Sequence, residues 1–205
     1  MTADYGNPLR EQDVDPDAVR QFAIWFEEAA SAGLRLPEAA ALATASAGGA
    51  PSVRMVLVKS FDERGFVFYS NYTSRKGREL AANPRAALLF HWDALGRQVR
   101  IEGPVERTDA SESAAYVRSR PRASQISALA SPQSQTIASR EALERRVAEL
   151  ERRYEAEELP VPTDWGGFRL AARTVEFWQQ RHDRLHDRLL YSRDGAGWRI
   201  ERLAP

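Results

Sequence analysis

The chain has 205 residues, no cysteine, 43% hydrophobic and 28% charged residues, and a formal net charge of zero. That length suits one large domain whose core needs no staple, and the missing thiol excludes a disulfide framework, a cysteine zinc site, an iron–sulfur cluster and a thiol nucleophile. Neutrality argues against a general nucleic-acid binder, and no apolar run reaches the roughly 18 residues of a membrane span or resembles a signal peptide, so a soluble cytoplasmic protein is expected.

Asp15-Pro16-Asp17 offers helix-capping chemistry, and Val19, Phe22, Ala23, Trp25 and Phe26 then recur at helical spacing up to Gly33. Residues 39–45, 52–60 and 65–72 read as strands, separated by the turn-forming Ala-Gly-Gly-Ala at 47–50 and Asp-Glu-Arg-Gly at 62–65. A short helix is predicted from Ser74 to Asn83, stopped by Pro84. Strands over 86–92 and 98–107 follow, then a helix over 110–120. Segment 121–139 is polar and rich in Ser, Gln and Ala, and is predicted to be irregular chain with one helical turn. A charged helix over 142–154 carries Leu143, Val147 and Leu150 on one stripe and is broken by Pro160-Val-Pro162. The last strands are predicted over 168–171, 174–179 and 189–203, the final one folded into a hairpin at Asp194-Gly195. There is no internal repeat and no alternating strand–helix rhythm, so the expected class is α+β: an antiparallel β-barrel with inserted helices in one domain.

The common nucleotide and hydrolase signatures are missing. Instead, dense polar clusters sit at strand ends. Arg54 and Lys59 are five residues apart, which places them on opposite faces of one strand unless a bulge intervenes. They could serve two anions or be two surface cations. Ser74-Arg75-Lys76 opens a helix, where free N–H groups attract anions while the macrodipole opposes cations, which favours a bound anion over simple stability. Gln98 opens a strand with an amide able to read a heterocycle edge. Tyr116, Arg120 and Ser124 follow at spacings of four, suited to phosphate or to ordinary helix decoration. Between Trp178 and Arg188 lie His182, Arg184 and His186; with no cysteine and no third histidine nearby, a planar anionic ligand fits better than a metal. Only Lys59 and Lys76 among the 29 basic residues are lysine.

Arg54-x4-Lys59, Tyr72-Thr-Ser-Arg-Lys-Gly77, Arg97-Gln-Val-Arg100, Ser131-Pro-Gln-Ser134, Trp165-Gly-Gly167, Glu176-Phe-Trp178 and Arg184-Leu-His-Asp-Arg188, in this order over nearly the whole chain, resemble the pyridoxine/pyridoxamine 5′-phosphate oxidase family. The resemblance implies an FMN-binding split β-barrel with peripheral helices, working as a homodimer with the flavin between subunits. It implies a flexible segment over 1–15 and a single domain over 16–205 that includes the C-terminal dimerisation and substrate region. Arg54, Arg75 and Lys76 would hold the FMN phosphate, and Tyr69, Ser70, Gln98, Gln133, Ser134, Trp178 and Arg188 would line the rest of the flavin. Lys59, Tyr116, Arg120 and Ser124 would grip the substrate phosphate, with Arg184 and His186 facing the pyridine ring as the catalytic pair. The implied reaction oxidises pyridoxamine or pyridoxine 5′-phosphate to pyridoxal 5′-phosphate with dioxygen, releasing hydrogen peroxide.

Two departures stand out. Tyr5 matches the family's lid tyrosine, but Thr2 stands where an arginine is usual, and Gln179-Gln180 replaces Gln-Gly. The rival readings are a phenazine-type flavin oxidase on the same scaffold, a flavin- or haem-binding carrier or sensor, and a pyridoxal phosphate reservoir. Lys59 and Tyr69 favour the vitamin enzyme over the phenazine type, and Tyr116, Arg120, Ser124 and Arg184 together favour it over a carrier.

Overall fold

The structure, a computed structural model, describes residues 8–205. The lid positions Thr2 and Tyr5 lie outside the described residues. Helix α1 (Ala18–Ser31) starts where the sequence predicts, because the Asp17 carboxylate accepts from the backbone N–H groups of Val19 and Arg20. Its apolar stripe drives Phe22 edge-on into Phe61, Phe66 and Phe90, with centroids 4.8–4.9 Å apart. Trp25 packs likewise against Phe177 at 5.1 Å. Phe22 is fully buried, so truncating it to alanine would cost about 3–5 kcal/mol.

Strands β1 (Ala39–Ala45), β2 (Pro51–Asp62), β3 (Gly65–Asn71), β4 (Arg85–Trp92), β5 (Arg97–Arg107) and β6 (Trp165–Leu170) form an antiparallel barrel in the order β4-β1-β2-β3-β6-β5, closed by pairing of β4 with β5. β7 (Thr174–Gln179), β8 (Asp187–Asp194) and β9 (Gly197–Arg202) extend the sheet from β5. Two strands change partners along their length, and this splits the barrel. β2 pairs with β1 over residues 51–57 and with β3 only from Val58 onward. β5 pairs with β7 over residues 97–102 and with β6 over 105–107. Among the described residues the first half of β2 therefore has no strand partner on its β3 side, and a cavity lies there.

The remaining helices sit outside the barrel: α2 (Arg75–Ala82), α3 (Ala110–Ser119), α4 (Arg122–Ala130) and α5 (Arg140–Arg153). α4 corrects the prediction of irregular chain over 121–139. It begins at Pro121 without a side-chain cap and buries only Ile126 and Ala130, so neither capping nor periodicity announces it. The predicted hairpin is present, turning at Gly195 with φ +57°. Residues 9–11 pack on the last strands: Leu9 N–H donates to Asp187 at 3.2 Å, and Arg202 pairs with Glu11 at 2.8 Å. Among the described residues no helix is long and apolar enough to cross a membrane.

Candidate functional site

The strand–turn–helix from β3 into α2 is built by short polar side chains. Asn71 Oδ1 accepts from the Thr73 N–H and hydroxyl, both at 2.7 Å, and its amide donates to Asp164 at 3.0 Å. Ser74 then caps α2 by accepting from Gly77 N–H at 3.2 Å. This turn delivers Arg75 and Lys76 to a cavity of about 590 Å³ whose walls include Arg54, Lys59, Tyr69, Ser70, Tyr116 and Arg120. Gln133, Ser134 and Trp165 complete it. Ser134 adopts φ +70°, a left-handed conformation uncommon for a residue other than glycine and often met at binding sites.

Arg54 and Lys59 line this one cavity. The opposite-faces geometry requires an unbroken strand, and β2 has a register shift between Val58 and Ser60. Lys59 Nζ stands 3.3 Å from Glu38, both half-buried. Lys76 is 8% exposed and has no carboxylate partner among the described residues; its ammonium donates to Gln133 Oε1 at 2.8 Å, Ser70 Oγ at 2.9 Å and Ser74 Oγ at 3.3 Å. Burial, with a smaller repulsion from Arg54, pulls its pKa down to about 8. Glu79 behaves oppositely. Burial pushes its carboxyl up, but hydrogen bonds from Ser52, Thr44, Arg75 and Arg54 outweigh that and hold it at about 2.

An aromatic wall faces these cations. Tyr69 stacks on Tyr116 with centroids 3.6 Å apart, and Trp165 lies parallel to Tyr116 within 3°. The Arg120 guanidinium sits 4.6 Å over Trp165, and its buried Nη1 finds no hydrogen-bond partner among the described residues. Burial lowers the Arg120 pKa. Gly167 lets the wall close up: a Cβ there would stand 2.3 Å from Thr108 Oγ1 and 3.0 Å from the Tyr69 ring. Ser124, predicted with Arg120, lies in the first turn of α4 and is not among the lining residues.

The other predicted residues form a second cluster. Gln98, Trp178 and Arg188 sit side by side across β5, β7 and β8. Arg188 Nε donates to Glu176 at 2.7 Å and its Nη1 to the Ala204 carbonyl at 2.8 Å. Arg100 reaches the other oxygen of Glu176 at 2.8 Å. The His186 ring packs against Trp178 at 4.5 Å, and its Nδ1 accepts from Arg181 N–H at 3.1 Å, which leaves Nε2 as the protonated nitrogen of the neutral ring. Asp183 and Arg184 both have positive φ, 58° and 60°, so Arg184 is presented on a strained turn. None of these residues lines the 590 Å³ cavity.

Glu79, Thr44, Ser52 and Trp165 carry no role in the sequence reading. Glu79 follows Arg75 by four residues, which is a legible ion pair, but the hydroxyls beneath it come from other strands. A larger cavity of about 710 Å³, lined by Ala43, Ala45, Ala86, Ala87, Pro51 and Pro104 among others, contains none of the predicted residues.

The chemistry on offer is a basic cavity with a flat aromatic wall. Two of its cations, Lys76 and Arg120, have no carboxylate partner among the described residues, so their charge is open to an anion such as phosphate. The flavin and substrate phosphates expected from the sequence fit this donor set.

Comparison with known proteins agrees. The family described as pyridoxamine 5′-phosphate oxidase matches residues 26–154, and the pyridoxine 5′-phosphate oxidase C-terminal dimerisation region matches 165–205. A pyridoxine/pyridoxamine 5′-phosphate oxidase of Rubrobacter xylanophilus is 59% identical over 197 residues, 96% of this chain and 91% of the relative. One from Burkholderia thailandensis is 57% identical over 200 residues, 96% and 93% of the two chains. Among solved structures, PhzG from Burkholderia lata 383, in complex with tetrahydrophenazine-1-carboxylic acid, superposes with a TM-score of 0.91 at 36% identity, covering 97% of this chain and 98% of that one.

Proposed function

The chain belongs to the pyridoxine/pyridoxamine 5′-phosphate oxidase family, and on that premise we propose that it oxidises pyridoxamine 5′-phosphate, pyridoxine 5′-phosphate or both to pyridoxal 5′-phosphate. The amine consumes dioxygen and water and yields aldehyde, ammonia and hydrogen peroxide; the alcohol consumes dioxygen and yields aldehyde and peroxide. The cofactor is FMN, which when bound accepts the hydride from C4′ and passes the electrons to dioxygen. The protein works as a homodimer, in keeping with the dimerisation region matched at 165–205. A cytoplasmic location belongs to the same proposal and is tested by cell fractionation.

The chain's residues bind and orient. Arg54, Arg75 and Lys76 hold the FMN phosphate; Tyr69, Ser70, Gln133 and Ser134 line the flavin on one subunit, and Gln98, Trp178 and Arg188 line it from the partner copy. Lys59, Tyr116, Arg120 and Ser124 take the substrate phosphate. Arg184 clamps the pyridine ring, and His186 offers its Nε2–H to the reactive side. No strong base is required, because turnover depends on near-contact placement of C4′.

The observation that carries this reading is Arg120: a buried guanidinium on an aromatic wall, with one nitrogen unpartnered, in the cavity that also holds Lys76. Two anion seats suit a phosphorylated cofactor beside a phosphorylated substrate. The likeness to PhzG supports a second reading, a phenazine-type oxidase, and relatives at 57–59% identity named for the vitamin substrate outweigh it. The test is an aerobic assay of FMN-loaded protein with pyridoxamine 5′-phosphate and, separately, pyridoxine 5′-phosphate. Equimolar pyridoxal 5′-phosphate and peroxide are expected; bound flavin without turnover of either substrate sinks the proposal in favour of the phenazine-type or carrier reading.

A further inference from the structure

Glu79 lies in a site that otherwise gathers cations, where a carboxylate would weaken anion binding unless it did something else. Its geometry shows what it does. One carboxylate oxygen, Oε2, accepts from the Thr44 hydroxyl at 2.5 Å and from the Ser52 hydroxyl at 2.6 Å. Those hydroxyls in turn accept from Arg54, Thr44 from Nη1 at 2.5 Å and Ser52 from Nη2 at 2.5 Å. Arg54 Nη2 also reaches Oε2 directly at 3.2 Å. The other oxygen, Oε1, accepts from Arg75 Nε at 2.9 Å.

Each hydroxyl has one proton, and here both protons go to Glu79, so both oxygens are left to accept from Arg54. The closed ring of bonds fixes the plane of the Arg54 guanidinium. With Nη1 also donating to Leu42 O at 3.3 Å, both Nη groups are engaged, and Nε–H is the donor without a partner among the described residues. On Arg75 the pattern is reversed: Nε is engaged and the Nη groups have no such partner. The two arginines, one on β2 and one on α2, are thus locked by one buried carboxylate with complementary donors left over. Arg54, mostly buried, is held at both Nη groups, and Arg75, whose side chain is 61% exposed, is tethered through Nε, so less ordering is left for either side chain when a ligand arrives.

We propose that Glu79 is a positioning residue that sets Arg54 and Arg75 as a preformed phosphate clamp, and that it thereby selects phosphorylated over unphosphorylated flavin. This rests on the assignment of those arginines to the FMN phosphate. The clamp acts on phosphate alone, so its loss is read by comparing FMN with riboflavin, which lacks only that group.

The experiment titrates full-length protein, stripped of flavin, with FMN and with riboflavin, following flavin fluorescence, for wild type, Glu79→Leu and Glu79→Gln. Glu79→Leu is expected to weaken FMN binding about tenfold or more, the scale of a lost charged hydrogen bond. Riboflavin affinity should stay within about twofold of wild type, and Glu79→Gln, which keeps one acceptor oxygen, should recover most of the FMN affinity. Equal loss for both flavins would mean that Glu79 is merely structural. Unchanged or tighter FMN binding would mean that its negative charge, not its positioning, dominates. Either result overturns the proposal. If Glu79→Leu does not fold, the double variant Thr44→Val/Ser52→Ala carries the test, since it cuts both hydroxyl-mediated links to Arg54, leaving only the direct 3.2 Å contact, and keeps the carboxylate. The same FMN-specific loss is expected there, and its absence is equally fatal. A wild type that does not prefer FMN to riboflavin overturns the phosphate assignment itself, whereas a preference that survives in the variants removes only the role of Glu79.

Discussion

Lys76 shows how one buried charge couples binding to pH. Burial has pulled its pKa down to about 8, and a phosphate placed beside it favours the charged form and raises that value again. Binding therefore takes up a proton above about pH 8, and affinity falls as pH climbs past that point. FMN should bind about tenfold more weakly at pH 9 than at pH 7, with proton uptake visible by calorimetry in buffers of different ionisation enthalpy. Lys76→Met should abolish both signatures; an unaltered pH profile in that variant would assign the titration to another group. For stability the sign is opposite: the fold disfavours the ammonium, so the empty protein gains stability as pH rises from about 8 towards 10.5. Arg75 and Lys76 were legible in the sequence because cations at a helix start oppose the dipole. The link from Glu79 to Arg54 was not, because Thr44 and Ser52 reach the carboxylate only through strand pairing.

At the scale of elements, the helix and strand starts marked by Asp17, Ser74 and Gly65 were readable, since capping and turn chemistry act over a few residues. α4 was not readable: its stability comes from contact with its neighbours, with Ile126 and Ala130 as its buried positions. The β2 bulge was equally hidden, and it decides which cavity Lys59 faces. β6 makes a sharper point. Its Trp165-Gly-Gly167 run reads as a motif, and the reason for the glycines is close packing: Tyr72 and Ser113 against Gly166, and Thr108 and the Tyr69 ring against Gly167. Gly167→Ala should cost about 1–3 kcal/mol through overpacking and push Tyr69 off Tyr116. Thermal unfolding and flavin affinity report the two effects. A variant with wild-type melting and affinity would show that the strand can shift without cost.

Across the whole molecule, the predicted residues fall into two groups that do not line a common cavity within one chain. Arg54, Arg75, Lys76, Arg120 and their neighbours form one, and Gln98, Trp178, Arg184, His186 and Arg188 the other. Exposed Val53 and Met55 lie along the β2 edge beside the first group, at 69% and 64% exposure, an apolar strip of the kind subunit interfaces cover. A homodimer whose sites each combine the first group of one subunit with the second group of its partner predicts complementation. Arg54→Ala and Arg188→Ala proteins, each inactive alone, should on mixing and reassembly regain about a quarter of wild-type activity, since half the dimers are hybrids with one intact site of two. No recovery, with hybrid dimers demonstrated by mass, would place both groups of a site on one chain.

Sequence alone was enough to read the class of fold, the element order apart from α4, the family, and residue types suited to phosphate. These rest on capping, alternation and motif spacing, which are local. It took the folded structure to show that Arg54 and Lys59 share a cavity, that Glu79 holds two arginines, and that the predicted site residues divide into two clusters. Each depends on where strands change partners, and strand pairing joins residues far apart in the chain with no mark in their local order.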